Sequence, residues 1–155
     1  MNKDESIRFA TKYLEDLLSF FGINVAVDST VEDEVIQLSI PSTSMNSLLI
    51  GREANNLRAL QHIVSQALIG RDAALVRVSV DVADYKRQRA ERIAEQAEEW
   101  IREVRQTGQS KHLNLNAADR RIVHKVARDY SDITTHSEGE GHDRVLIVEK
   151  KSLSD

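Results

Sequence analysis

The chain has 155 residues, 41% hydrophobic and 30% charged, with a formal net charge of −4. That length allows one domain or two small ones, and the balance is that of a soluble globular protein rather than a disordered or fibrous chain. With no cysteine there is no disulfide, thiolate metal site or cysteine nucleophile, and no apolar run is long enough for a membrane helix.

The opening MNKDESIRF lacks the apolar core of a signal peptide, so a cytoplasmic location is expected. Over residues 6–21, Ile7, Ala10, Tyr13, Leu14, Leu17, Leu18 and Phe21 recur at three and four, which predicts an amphipathic helix closed by Gly22. Ile23, Val25 and Val27 then alternate with Asn24, Ala26 and Asp28, the pattern of a half-buried strand, and residues 28–34 read as a polar turn. Ile36, Leu38 and Ile40 mark a second strand that ends at Pro41, the only proline, and the two strands are expected to pair as a hairpin.

Ser44 is the expected N-cap of a short helix holding Met45, Leu48 and Leu49, which Gly51 interrupts. A longer helix carries Leu57, Leu60, Ile63, Val64, Ala67 and Leu68 and stops at Gly70; a third strand follows over residues 75–82. The order helix, strand, strand, helix, helix, strand predicts an α+β layer.

Residues 85–106 read as a long helix with Ala90, Ile93, Ala94, Ala97, Trp100, Ile101 and Val104 on its buried stripe. Its opening YKRQRAER is basic, and the interleaved glutamates beyond it favour a solvated face over a binding surface. After a loop at 107–110, Asn116 is placed to cap a helix over 117–130. At about 100° per residue, Arg120, Arg121, His124, Lys125 and Arg128 share one arc of about 140°. Ile122, Val123, Val126, Ala127 and Tyr130 occupy the opposite arc. The last elements are a strand near 133–136, a turn through Gly139 and Gly141, a strand over 144–148, and a polar, frayed tail.

The charge is uneven. Residues 1–81 hold seven of the 21 basic and eleven of the 25 acidic residues, and the remainder is balanced. A nucleic-acid surface must then be a local patch, and the 120–128 arc, with no acidic member, is the candidate. No nucleophile elbow or phosphate loop is present, so an enzyme is not expected. His136, Glu138, Glu140 and His142 bring donor atoms into one short stretch without a fixed geometry, and neither a metal nor a cofactor is expected.

NAADRRIVHKV, with Arg120 and His124, resembles the RxxxH ("R-three-H") domain family, as does the SEGEGHDR that follows before an apolar strand. The resemblance implies single-stranded nucleic-acid binding. LLIGREANNLRALQHIV, within the first six elements, resembles a type II KH domain, where a GxxG loop clamps a nucleic-acid backbone. Here that loop reads Gly51-Arg52-Glu53-Ala54, with alanine for the second glycine. The implied layout is a KH-like domain over 1–83, an RxxxH domain over 84–150 (long helix, motif helix, β-hairpin) and a tail over 151–155. This pairing resembles the bacterial Jag family, also called KhpB. Members often carry an N-terminal Jag-N domain; none is legible here, so a short form is expected.

The resemblance implies a cytoplasmic RNA-binding regulator linked to cell elongation, division or shape, without membrane insertion, whose protein partner is a small KH-only protein or a second copy. The expected binding residues are Arg120, Arg121, His124, Lys125, Arg128, Gly51, Arg52 and Arg144. Two other readings stand beside this one: a single-stranded DNA binder, and an interaction module whose KH half serves protein contacts.

Overall fold

The computed structural model describes residues 1–152. It divides into two compact units, Met1–Lys86 and Arg87–Asp155, each with its own core.

The first unit begins with helix α1, Lys3–Phe20. A reciprocal capping box starts it: the Asn2 side chain accepts from Glu5 N, and the Glu5 carboxylate accepts from Asn2 N. Leu14 and Leu18 are fully buried on its inner face. At its end the amide of Ile23 returns to the carbonyl of Leu18 at 3.0 Å, past Gly22.

The expected strand at 23–28 is not one. Ile23 and Val27 are buried, as the alternation implied, but the amide of Val27 donates to the Glu15 carboxylate on α1. This segment lies along the helix, and its amides find partners there instead of in a ladder. The first strand, β1, is Asp28–Glu32, inside the stretch expected to be a turn. It pairs antiparallel with β2, Val35–Ile40, and the turn shrinks to Asp33 and Glu34, both at positive φ. A two-residue loop of that geometry matches the twist of the flanking strands. Strand β1 is almost wholly exposed, so it carries no apolar periodicity to read.

Helix α2, Asn46–Ile50, starts at Met45 and not at Ser44. The Asn46 side chain accepts from Thr43 N, and Thr43 Oγ1 accepts from Met45 N, which fixes the entry one residue later. Helix α3, Asn55–Ile69, leads to β3, Arg77–Val82. Strand β3 lies parallel to β2, in the order β1-β2-β3. Ile36, Leu38 and Ile40 stand opposite Val78, Val80 and Val82 and form the sheet face of a core shared with α1 and α3. The element order αββααβ is the expected one.

Helix α4, Tyr85–Thr107, runs into the second unit, where Ile93, Ala97, Ile101 and Val104 are buried. Strand β4, Lys111–Leu113, was not expected: three residues are too few to show a period. Helix α5, Ala117–Ala127, follows its Asn116 cap. It is shorter than expected, with Arg128 as C-cap and Tyr130 beyond it. Strands β5, Ile133–Glu138, and β6, Val145–Lys150, complete an antiparallel sheet in the order β4-β6-β5. Leu146 and Val148 face the core that α4 and α5 cover. Lys150 pairs with Ile133, and the amide of Lys151 donates to Asp132 O at 2.8 Å, so these two residues are anchored at the start of the tail expected to fray. Residues 153–155 of that tail lie outside the described residues.

Candidate nucleic-acid interface

Helix α5 is built to present one face. Asn116 Oδ1 accepts from the amide of Asp119 at 2.8 Å, satisfying a first-turn donor. Val123 and Ala127 are buried and Ile122 and Val126 half-buried, which turns the basic arc outward. Arg121, Lys125 and Arg128 are exposed; Arg120 and His124 are half-buried.

The half-buried pair is held by the protein. Arg120 Nη1 donates to the carbonyl of Leu115 at 2.6 Å. His124 Nδ1 lies 2.5 Å from the hydroxyl of Thr135 on β5. Burial first, then the charges of Arg128 and Arg120, lower the pKa of His124 from its ordinary value. Among the described residues, the side chains of Lys125 and Arg128 make no hydrogen bond or ion pair, so both charges are open to a ligand. Arg121 Nε makes only a long contact, 3.3 Å, to the carbonyl of Ala117 on its own helix.

Asp119 does not dilute this face. It is 3% exposed and its carboxylate accepts from Arg89 Nη2 at 2.6 Å. This corrects the reading of the α4 start as a simply solvated face. Arg89 pairs with a buried carboxylate, Arg87 makes an exposed pair with Glu91 at 3.6 Å, and Lys86 Nζ donates to Gln61 Oε1 and Ser79 Oγ in the first unit. Burial lowers the pKa of Lys86, with Asp81 opposing. Tyr130 donates its hydroxyl to Glu98 and lies under Arg105, which keeps it with the α4 packing.

Arg144 stands before β6, and its Nη1 donates to the carbonyl of Gly139 at 3.0 Å. That bond closes the β5–β6 loop. A Cβ at Gly139, where φ is +88°, would meet Asp143 O at 3.0 Å, so the loop requires glycine there. Among the described residues, no hydrogen bond or ion pair joins Arg144 to the α5 arc.

Gly51 and Arg52 belong to the first unit. Gly51 has φ 74° and ψ 177°, a region essentially limited to glycine, and a Cβ there would lie 2.6 Å from Asn56 Cγ. The Asn56 side chain donates to Leu48 O at 2.7 Å and so packs across the glycine. Glu53 and Ala54 follow at φ 54° and φ 60°, both left-handed. Two loop amides bond internally, Gly51 N to Ser47 O and Ala54 N to Gly51 O. The Glu53 carbonyl accepts from Arg58. Ala54→Gly relieves left-handed strain of about 1 kcal/mol and removes a methyl from the loop surface. We expect that variant to be more stable to urea and to bind single-stranded RNA modestly better, and Glu53→Lys to gain more affinity. Unchanged affinity in both, measured on the full chain, means that this loop does not contact RNA.

Residues 91–150 match the model of the R-three-H domain family. Almost the whole chain is similar to bacterial proteins named RNA-binding protein KhpB. Identity to the Clostridium symbiosum protein is 29% over 147 residues, covering 92% of this chain and 65% of that one. For Bacillus subtilis (strain 168) it is 28% over 155 residues, covering 97% and 74%. For Lactiplantibacillus plantarum it is 27% over 146 residues, covering 94% and 45%. The chain thus spans about half to two thirds of the length of two of these relatives. Among the described residues no helix is long and apolar enough to cross a membrane.

Proposed function

We infer, for a chain that belongs to the KhpB (Jag) family, that it binds single-stranded RNA through the outward face of α5 and acts as a binding protein, not an enzyme. The observation that carries this reading is the arc itself. Arg121, Lys125 and Arg128 are exposed on one face, Arg120 and His124 are held in place between them, and Asp119, the acid of α5 itself, is buried against Arg89. Cations fixed on a helix without interleaved acids match the repeating charge of a phosphate backbone. Arg120, Arg121, His124, Lys125 and Arg128 are the contact residues of this proposal. Gly51 and Arg52 make a weaker, backbone-directed contact in the KH-like region, residues 1–83. Arg144 acts by shaping the β5–β6 loop. A cytoplasmic location and a role in cell elongation or division belong to the same proposal, through the family resemblance.

The test is a salt titration of the full chain with a short single-stranded RNA, the matching DNA and a duplex. With roughly three to five phosphate contacts, log K falls against log salt with a slope of about −2 to −3.5 for the single strands. A flat response removes the electrostatic basis of the reading. Tighter binding to DNA than to RNA assigns the face to single-stranded DNA.

A second reading concerns the first unit alone. Phe20, at 86% exposure, and Phe21, at 62%, stand open at the end of α1, and Glu53 and Ala54 occupy the loop where phosphate would approach. Exposed aromatic side chains of this size favour a protein contact, with a small KH-only partner or a second copy. Concentration-dependent sedimentation that Phe20→Ser/Phe21→Ser abolishes supports that contact. A monomer that captures no KH-only protein rejects it.

A further inference from the structure

The motif names Arg120 and His124, but the structure gives His124 a partner on another element. Strand β5 points Ile133 into the core, where it is 4% exposed, and the period of two brings Thr135 to the same face, beneath α5. Thr135 pairs across the sheet with Val148, which is fully buried, so its hydroxyl sits at the margin of the core. That hydroxyl lies 2.5 Å from His124 Nδ1. The other ring nitrogen, Nε2, has no protein partner among the described residues. Yet no buried side-chain nitrogen or oxygen among the described residues lacks one, so Nε2 is open to solvent. One nitrogen is anchored and the other is presented.

We propose that Thr135 is a positioning residue for the nucleic-acid face: its hydroxyl donates to Nδ1 of neutral His124, fixing the tautomer that carries its proton on Nε2 and aiming that N–H at a phosphate oxygen between Arg120 and Lys125. Which ring nitrogen carries the proton is set by the bond the other makes. Were Nδ1 to donate to Thr135 instead, neutral His124 would present a lone pair to the ligand and repel an anion. Arg120 and Arg128, on the same helix, disfavour the imidazolium, so the neutral tautomer matters near pH 7. When His124 does protonate, both ring nitrogens donate and the hydroxyl turns to accept, which keeps the ring plane unchanged. The inference rests on the α5 face being the binding surface.

The experiment uses the full chain and one short single-stranded RNA at fixed salt and pH 7.5. Thr135→Val keeps the β-branched shape that suits the strand and removes the hydroxyl; Thr135→Ser keeps the hydroxyl. Losing one orienting hydrogen bond is expected to weaken binding by about two- to threefold in Thr135→Val, no more than the loss from replacing His124 itself, with Thr135→Ser near the wild type. In a His124→Gln background the same Thr135→Val change is expected to have no further effect, because its target is gone. Nitrogen-15 shifts of His124 above its titration range are expected to report the Nε2–H tautomer in the wild type and in Thr135→Ser. In Thr135→Val a mixture is expected.

A wild-type ring protonated on Nδ1 overturns the proposal. So does an equal loss from Thr135→Val with and without His124, which marks a packing effect. If Arg120→Ala and His124→Gln leave binding intact, the binding face itself is wrong. If they weaken it and Thr135→Val does not, only the positioning role fails.

Discussion

Arg120→Ala is expected to bind a short single-stranded RNA at least about tenfold more weakly than the wild type at pH 7.5, since a hydrogen bond to a charged group contributes about 1.5–3 kcal/mol. The guanidinium has five donors, and among the described residues only Nη1 is engaged, with Leu115 O. The carbonyl orders the side chain before ligand arrives, so less rotamer entropy is lost when the remaining N–H groups grip phosphate. His124→Gln is expected to cost less at this pH, about threefold, because neutral imidazole offers one hydrogen bond and glutamine can replace it. The two losses are expected to be less than additive if both side chains touch one phosphate.

The pH dependence separates the two residues further. Burial, Arg128 and Arg120 lower the pKa of His124 in the free protein, and a bound phosphate raises it. Complex formation therefore takes up protons, and affinity rises as pH falls through the bound-state value. Arg120→Ala keeps that slope in weakened form, since His124 still titrates. His124→Gln flattens it. Titrations at pH 6 and 7.5 in constant salt decide this. Equal binding by the wild type and the Arg120→Ala/His124→Gln double variant would place the interface elsewhere.

The second large effect is on stability. Arg89→Ala leaves the Asp119 carboxylate, 3% exposed, without its ion-pair partner. Removing one member of a fully buried pair costs about 3–5 kcal/mol. The Arg89 side chain is 40% exposed, so water screens part of the pair and about 2 kcal/mol is expected here. Trp100 is the only tryptophan and packs against the core of the second unit, so its fluorescence reports that unit's urea transition. Arg89→Ala should lower the midpoint. Arg89→Ala/Asp119→Asn should recover part of the loss, because the amide has no charge to leave unpaired. An unchanged midpoint in Arg89→Ala would show that solvent already compensates Asp119.

The amino-acid sequence by itself determined what depends on neighbours along the chain. The period of three and four in residues 6–21 and 85–106, the Asn116 cap, and the segregation of Arg120, Arg121, His124, Lys125 and Arg128 from the apolar arc all follow from local spacing. Tertiary structure decided the rest, because hydrogen-bond partners distant in sequence leave no periodic trace. The alternation of Ile23, Val25 and Val27 reported one-sided burial correctly, but Glu15 on α1 claimed an amide that a ladder would have used. Strand β1 exists through pairing with β2, and β4 through pairing with β6; neither shows an apolar pattern. The same holds at the site. Spacing named His124, while its Thr135 partner lies 11 residues on, on a strand. Spacing also placed Arg89 on a charged helix face, where a buried aspartate 30 residues away gives it a structural role. The identity of the basic face is a local property of one helix; the aim of its side chains is set by the elements that pack against it.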